Sequence, residues 1–366
     1  MRPIRFLVLA LCLAACTPRG TMVVVPPETV EGTINRVFVG STRGLESTGV
    51  FGGGRSEEMR FARYDVAVPP DRAPGEIKYA RPRSANVTTD FVTTGQRIYS
   101  ADADFRSDLR EALAQNGREA IIFVHGFNTT FTEGLYRIAQ LKHDLEVPGV
   151  ALHYSWPSAA EPLGYVYDRD SVMFARDGLQ SLMREAIAAG ATRVTLVAHS
   201  MGSFLTMEVL RDVALRDGAI MPQLRGVVLI SPDIDVEVFR SQAKDIGTLP
   251  QPFLIFGSDR DRVLRLSALI TGQRGRLGSL DNVDQLSDLE VTYLDVGAFS
   301  QGSGHFVPGT SPGLIRLLSR ISDVDTAFGN DAAGRPGLLP GVILTARSAT
   351  RIILTPVAEI TGDALN

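Results

Sequence analysis

The pentapeptide Ala198-His199-Ser200-Met201-Gly202 follows an apolar run and precedes a stretch with Phe204, Val209, Leu210 and Val213 at helical spacing. A Ser on a tight strand-to-helix turn has a strained backbone that pushes its Oγ out at the carboxyl end of a sheet. The residues two before and two after it must be small to avoid collision. Ala198 and Gly202 meet that condition, with Ala198 standing where Gly is commoner. Such a Ser can attack an acyl carbon. Read locally, Ser200 is equally a helix N-cap, but capping demands nothing elsewhere in the chain, whereas acyl transfer demands three further groups.

The first is a pair of donors for the negative oxygen of a tetrahedral intermediate. Val124-His125-Gly126-Phe127-Asn128 supplies a loop in which the Phe127 amide can join the Met201 amide, and Asn128 and Thr129 can also cap the helix that follows. The second is a general base after the Ser, since this arrangement runs Ser, acid, His along the chain. His305, in Gly302-Ser303-Gly304-His305-Phe306, is the only His beyond Ser200. The third is a carboxylate to orient the imidazole. Asp259 and Asp261 lie just past the apolar run ending at Phe256, and Asp233 and Asp235 lie past the preceding run. Capping of a helix starting near Val263 is the local alternative for the first two.

These groups need a scaffold that brings distant segments to one edge. Apolar runs at Ala120 to Val124, Gly149 to Tyr154, Arg193 to Ala198, Gly226 to Ile230, Pro252 to Phe256 and Val291 to Val296 read as buried strands, with helical patterns between most of them. Such alternation predicts an α/β fold with a mostly parallel sheet covered on both faces. Two earlier strands, Arg36 to Gly40 and Ala62 to Val68, flank Gly52-Gly53-Gly54, read as a flexible turn because it lacks the Gly-Lys-Ser/Thr ending of a phosphate loop. Only residues 231 to 251 separate two of the strands, which leaves room for one helix and no large cap. No marked activation at a lipid–water interface is therefore expected. Trp156, Tyr165 and Tyr167 are candidates for a substrate-binding rim, with core packing as the alternative for each.

Composition narrows the function. Hydrophobic residues at 44% allow a full core, and a formal charge of −4 offers no basic surface for nucleic acid. With five His, two Cys, no Cys-x-x-Cys and no His-Glu-x-x-His, no metal or cofactor is expected. Arg2 and Arg5 precede an apolar run too short to span a bilayer, as in an export signal. Its end, Leu13-Ala14-Ala15-Cys16, resembles the bacterial lipoprotein signal, which implies cleavage before Cys16 and its acylation. Thr17 after it favours the outer membrane of a Gram-negative-type envelope. The expected organisation is a signal at 1–15, a tether at 16–32, a catalytic domain at 33–325 and a C-terminal extension at 326–366. That extension reads as an added hairpin on a sheet edge or as a loosely attached tail.

From about Val37 to Ile321 the chain resembles the bacterial esterase/lipase-like α/β-hydrolase family, an alpha/beta hydrolase domain of unknown function. The resemblance rests on Val37-Phe38-Val39 with Thr42-Arg43, on Ile122 to Asn128, on Tyr154-Ser155-Trp156-Pro157-Ser158, on Ala198 to Gly202, on Asp261 to Ser267 and on Gly304-His305. It implies the α/β-hydrolase fold and, from the register of Asp261-Arg262-Val263-Leu264-Arg265-Leu266-Ser267, assigns the acid to Asp261. The expected function is a serine hydrolase acting on small-molecule or lipid-like carboxylic esters through a Ser200-Asp261-His305 triad and an acyl-enzyme. Thioesters and amides use the same apparatus. The competing class is a non-catalytic envelope scaffold with a hydrolase-like fold.

Overall fold

The computed structural model describes residues 19–46, 49–272, 275–300, 302–319, 341–346 and 348–354. Its strands are β1 (Thr33–Leu45), β2 (Phe51–Val68), β3 (Val92–Ile98), β4 (Glu119–Val124), β5 (Val150–Ser155), β6 (Arg193–His199), β7 (Leu224–Ile230), β8 (Phe253–Gly257), β9 (Val291–Asp295), β10 (Gly341–Ala346) and β11 (Ala349–Leu354). Helices α1 (Asp102–Gln115), α2 (Phe131–Asp144), α3 (Tyr165–Phe174), α4 (Arg176–Ala188), α5 (Met201–Asp217), α6 (Val236–Ile246), α7 (Arg262–Ile270), α8 (Val307–Thr310) and α9 (Pro312–Ser319) complete it.

All eleven strands form one sheet in the order β10-β11-β9-β8-β7-β6-β4-β5-β1-β2-β3. From β1 to β11 across the middle every pairing is parallel, and antiparallel pairs occur only at the two ends, β1-β2-β3 and β10-β11. This is the mostly parallel, helix-flanked sheet expected from the alternating pattern. Successive strand residues face opposite ways, so Ile122 of β4 enters one core with α1, α4, α5 and α6 while Phe123 enters another with α2. Between β7 and β8 the chain carries α6 alone. Parallel strands place all their carboxyl ends on one edge, and Ser200, Asp261 and His305 each lie in the chain just beyond β6, β8 and β9.

Two expectations change and one alternative is resolved for the residues described. Gly52-Gly53-Gly54 is not a turn but lies in β2, whose pairing with β1 runs through shifts at Ser41/Arg43 and Arg43/Leu45 out to Leu45↔Phe51. The described part of the expected tether is docked: Val25 N and Thr93 N exchange bonds with Thr93 O and Val23 O along β3, both 2.9 Å long, and Arg19 bonds Asn128 and Glu133. Of the C-terminal segment, the described residues 341–346 and 348–354 form the edge hairpin that is one of its two readings, with β11 in parallel register with β9. Among the described residues no helix is long and apolar enough to cross a membrane, and no group of three or more His, Cys, Asp or Glu could hold a metal ion. The signal segment and Cys16 lie outside the described residues.

Candidate active site

Ser200 is held in a strained conformation, φ 52° and ψ −121°, at the junction of β6 and α5. A non-Gly residue persists there only when its surroundings over-determine it. They do: Ser200 N donates to Ile230 O at 2.9 Å, Ser200 O accepts from Ser203 N and Asp233 N, and Ser203 Oγ donates to Ala198 O at 3.1 Å. Two glycines allow the turn to press against the loop after β4. A Cβ at Gly202 would collide with the carbonyl oxygens of Val124 and His125, and one at Gly126 would lie 2.7 Å from His199 Nδ1 and 3.0 Å from Ser200 Cβ. Among the described residues the Ser200 side chain makes no capping bond, so the capping alternative has no support here.

Asp261 and His305 meet across 44 residues of sequence, with His305 Nδ1 2.8 Å from Asp261 Oδ2. The other oxygen, Oδ1, accepts from Val263 N at 2.9 Å and Leu264 N at 3.0 Å at the start of α7. Capping and orienting are thus combined in one fully buried carboxylate, each oxygen with its own task. Asp259 is exposed, and its backbone carbonyl accepts from Arg265 Nη2. Asp235 caps α6 through Glu237 N and Val238 N, and Asp233 forms a buried ion pair with Arg276 at 3.0 Å. None of these three bonds His305. The His305 ring packs at 4.7 Å from that of His199, the neighbour of Ser200. Burial holds His199 well below the ordinary imidazole value, so it contributes a neutral ring.

In the loop after β4, the amides of Asn128, Thr129 and Thr130 are taken by Asp168 Oδ2, Ser158 Oγ and Glu133 Oε2. The Phe127 amide has no partner among the described residues. Met201 N is the first amide of α5, a position with no intrahelical acceptor. Both amides expected to receive an oxyanion are therefore without a partner among the described residues.

Sequence reasoning missed what fixes this loop. Arg43, from β1, is 1% exposed and its five N–H groups match five acceptors: Ser155 Oγ at 2.8 Å, Gly52 O at 2.9 Å, Ser158 O at 3.1 Å, Thr129 O at 2.8 Å and His125 Nε2 at 3.2 Å. Burial lowers its pKa to about 10, which leaves it charged at neutral pH, with the Asp168 carboxylate acting from a distance. Asp168 is itself pushed up by burial, an effect opposed by donors from Ser158, Ala159 and Asn128. The readable signal was a charged residue in an otherwise uncharged run, Val37 to Leu45.

The expected rim is not assembled as foreseen. Trp156 is fully buried, stacked 4.7 Å from His125, with Nε1 donating to His125 O at 2.7 Å, so it supports the loop from beneath. Tyr165 is also buried: its hydroxyl donates to Asp233 Oδ2 at 2.9 Å and lies 3.0 Å from Ser267 Oγ, and its ring meets Phe127 edge-on at 5.4 Å. Tyr167 is exposed but is held against β2, bonded to Gly53 O at 3.3 Å under the Arg55 guanidinium. Each aromatic found a polar partner for its hydroxyl or indole N–H, and that bond decided its direction.

Residues 101–305 match the model of a family described as alpha/beta hydrolase of unknown function (DUF900). Solved structures similar to this chain include a predicted CIB-like hydrolase from Thermoplasma acidophilum, 14% identical, covering 79% of this chain and 97% of that one with a TM-score of 0.33. Carboxyl esterase 2 from Tuber melanosporum is 13% identical over 86% of this chain and 95% of its own, with a TM-score of 0.38. An esterase from Pyrococcus furiosus is 10% identical over 83% and 95%, with a TM-score of 0.36. No curated protein matches the chain.

Proposed function

We propose that this chain, which belongs to the alpha/beta hydrolase family of unknown function DUF900, is a serine hydrolase that cleaves carboxylic esters through an acyl-enzyme. The observation that carries the reading is the 2.8 Å contact between His305 Nδ1 and Asp261 Oδ2. A proton on Nδ1 leaves Nε2 with a free lone pair, which is the tautomer a general base needs. In this mechanism Ser200 Oγ bonds to the acyl carbon as its proton passes to His305 Nε2. The carbonyl electron pair moves onto oxygen, where the Phe127 and Met201 amides receive it. Collapse expels the alkoxide, which takes the proton from His305. A water molecule then gives its proton to His305 and its oxygen to the acyl carbon, and Ser200 leaves with the proton returned. Asp261 stabilises the imidazolium formed in each half and holds the ring in place.

A fluorophosphonate probe tests the reading. Wild-type protein is expected to be labelled at Ser200 and to hydrolyse p-nitrophenyl butyrate, with labelling and turnover both lost in Ser200→Ala. Labelling equal in that variant would remove the proposal. Esters, thioesters and amides compared side by side identify the preferred acyl group. On the sequence alone, we further infer that Cys16 is acylated and anchors the protein to the outer membrane. Incorporation of labelled palmitate by wild type, and its loss in Cys16→Ser, is the expected result.

A further inference from the structure

The three most exposed large apolar side chains among the described residues are Leu163, Leu269 and Val166, at 97, 77 and 71%. They belong to one neighbourhood. Tyr165, between Leu163 and Val166, lies 3.0 Å from Ser267 of α7 through its hydroxyl, and Leu266, Leu269 and Ile270 surround Ser267 in sequence. The same Tyr165 ring packs on Phe127, and α7 starts at Asp261. This apolar surface therefore borders both the candidate oxyanion loop and the candidate acid.

Helix α7 has an unusual outer face. Arg262, Arg265, Leu266, Leu269 and Ile270 are all exposed, while Leu264 and Ser267 are buried. Their spacing of three and four residues puts the exposed five on one stripe, cationic at the end near Asp261 and apolar at the other. The helix holds no carboxylate, and among the described residues neither Arg262, Arg265 nor the neighbouring Arg260 is ion-paired. Set against Asp259 and Asp261, the three arginines leave an excess of one positive charge here on a protein whose formal charge is −4. Soluble surfaces seldom keep leucines this exposed beside one another without a partner. A second copy of α7 would offer these arginines no carboxylate, whereas anionic headgroups over acyl chains match both halves of the stripe.

We propose that the surface formed by the start of α3 and the outer face of α7 docks on an anionic phospholipid layer, and that acyl esters drawn from that layer are the substrates delivered to Ser200. The second half rests on the reading of Ser200 as an ester-cleaving nucleophile. The connection between β7 and β8 carries one helix and no lid, and affinity of this surface for lipid needs none.

The test places a fluorophore on the surface itself, in the full chain. Leu269→Trp is compared with Leu215→Trp, an exposed site near the far end of α5, about 20 Å along that helix from its start. Trp156, being buried, gives a constant background. With phosphatidylcholine vesicles containing phosphatidylglycerol, the Leu269→Trp emission is expected to shift to the blue and to be quenched by bromine-labelled acyl chains, while Leu215→Trp stays unmoved. Adding Arg262→Glu and Arg265→Glu should weaken the response about tenfold or more. No shift with anionic vesicles, an equal shift at both sites, or a shift produced by protein concentration alone would overturn the docking proposal. Hydrolysis of dissolved p-nitrophenyl butyrate, measured in parallel, separates the two readings. A lipid response without ester cleavage removes the substrate assignment and keeps the docking, and cleavage without a lipid response removes both the docking and the lipid-drawn substrate while keeping Ser200 as an ester-cleaving nucleophile.

Discussion

On one side of Ser200, the loop 125–130 is tied down through Arg43, Asp168, Ser158 and Glu133, and the Phe127 amide has no partner among the described residues. On the other side, Asp261 is fixed by three donors, but the atoms that would exchange a proton, Ser200 Oγ and His305 Nε2, hold no bond among the described residues. The contrast follows from the two tasks. Donors that receive a developing negative charge work best when they are already in place and need no reorganisation. A proton carrier must instead change partners at each step, and in unliganded sites such contacts are often loose until substrate tightens them. On the proposed mechanism, rigidity is concentrated where charge would appear and withheld where protons would move.

The loose side is where the largest effects are expected. Ser200→Ala and His305→Ala should each reduce kcat by at least about 10⁴-fold, because members of such a unit fail together rather than additively. Steady-state turnover of p-nitrophenyl butyrate on folded protein checks this, and near-normal rates in Ser200→Ala would dissolve the contrast altogether.

Next comes the choice of acid. Asp261→Asn should cost about 10⁴-fold in kcat, since an amide facing His305 favours the wrong tautomer. Stability should change little, as Asn caps helices nearly as well as Asp and α7 keeps its cap. Asp259→Asn, at an exposed position, should stay within about twofold of wild type because its side chain does not reach His305. The reverse ranking would move the acid to Asp259 and leave Asp261 a cap alone.

The fixed side should break differently. Arg43→Lys keeps the charge but loses the planar fork, so several buried carbonyls lose donors and the Phe127 amide loses its register. A fall in kcat of about 10²-fold with KM nearly unchanged is expected, the size seen when one oxyanion donor is removed. If KM rises while kcat holds, the network shapes ground-state binding rather than the intermediate, and the comparison above fails on that side.

How much of this was legible depended on distance along the chain. The elbow, the oxyanion loop and the parallel strands are local patterns, readable because five consecutive residues or one apolar run carry each. His305 was found by elimination, being the only His after Ser200. Arg43 was not found as a site residue, since its partners Ser155 and Thr129 are 112 and 86 residues away and no local pattern marks them. Strand β3 escaped because Val92-Thr93-Thr94-Gly95-Gln96-Arg97-Ile98 lies at a sheet edge, where polar residues are tolerated and the apolar signature fades. The glycines at 52–54 read as a turn because nothing in them reveals that the Gly52 carbonyl is needed by Arg43. Trp156 read as rim because an aromatic after a strand looks the same whether it points to solvent or, as here, beneath a loop.

The last expected effect concerns pH and distinguishes the two sides through stability. His125 and His153, under the fixed loop, are buried and His199, beside His305, is part-buried, and burial holds each below the ordinary value, His153 at about 3 and the other two well below 6.5. In the unfolded chain each would titrate near 6.5. A base whose pKa is depressed on folding gives stability that is present above the unfolded value and is lost as pH falls, because protons then bind only the unfolded chain. Between pH 6.5 and 5.5 each ring should therefore remove about 1 kcal/mol from the unfolding free energy, roughly 3 kcal/mol for the three. Urea unfolding at pH 7.5, 6.5 and 5.5 measures the slope. Replacing His153, whose Nε2 has no partner among the described residues, by Gln should reduce the loss between pH 6.5 and 5.5 by about 1 kcal/mol while leaving the pH profile of ester turnover in place. A slope unchanged in His153→Gln would mean that this ring takes up its proton in the fold as readily as in the unfolded chain, and the neutral, dry interior beneath the loop after β4 would have to be given up.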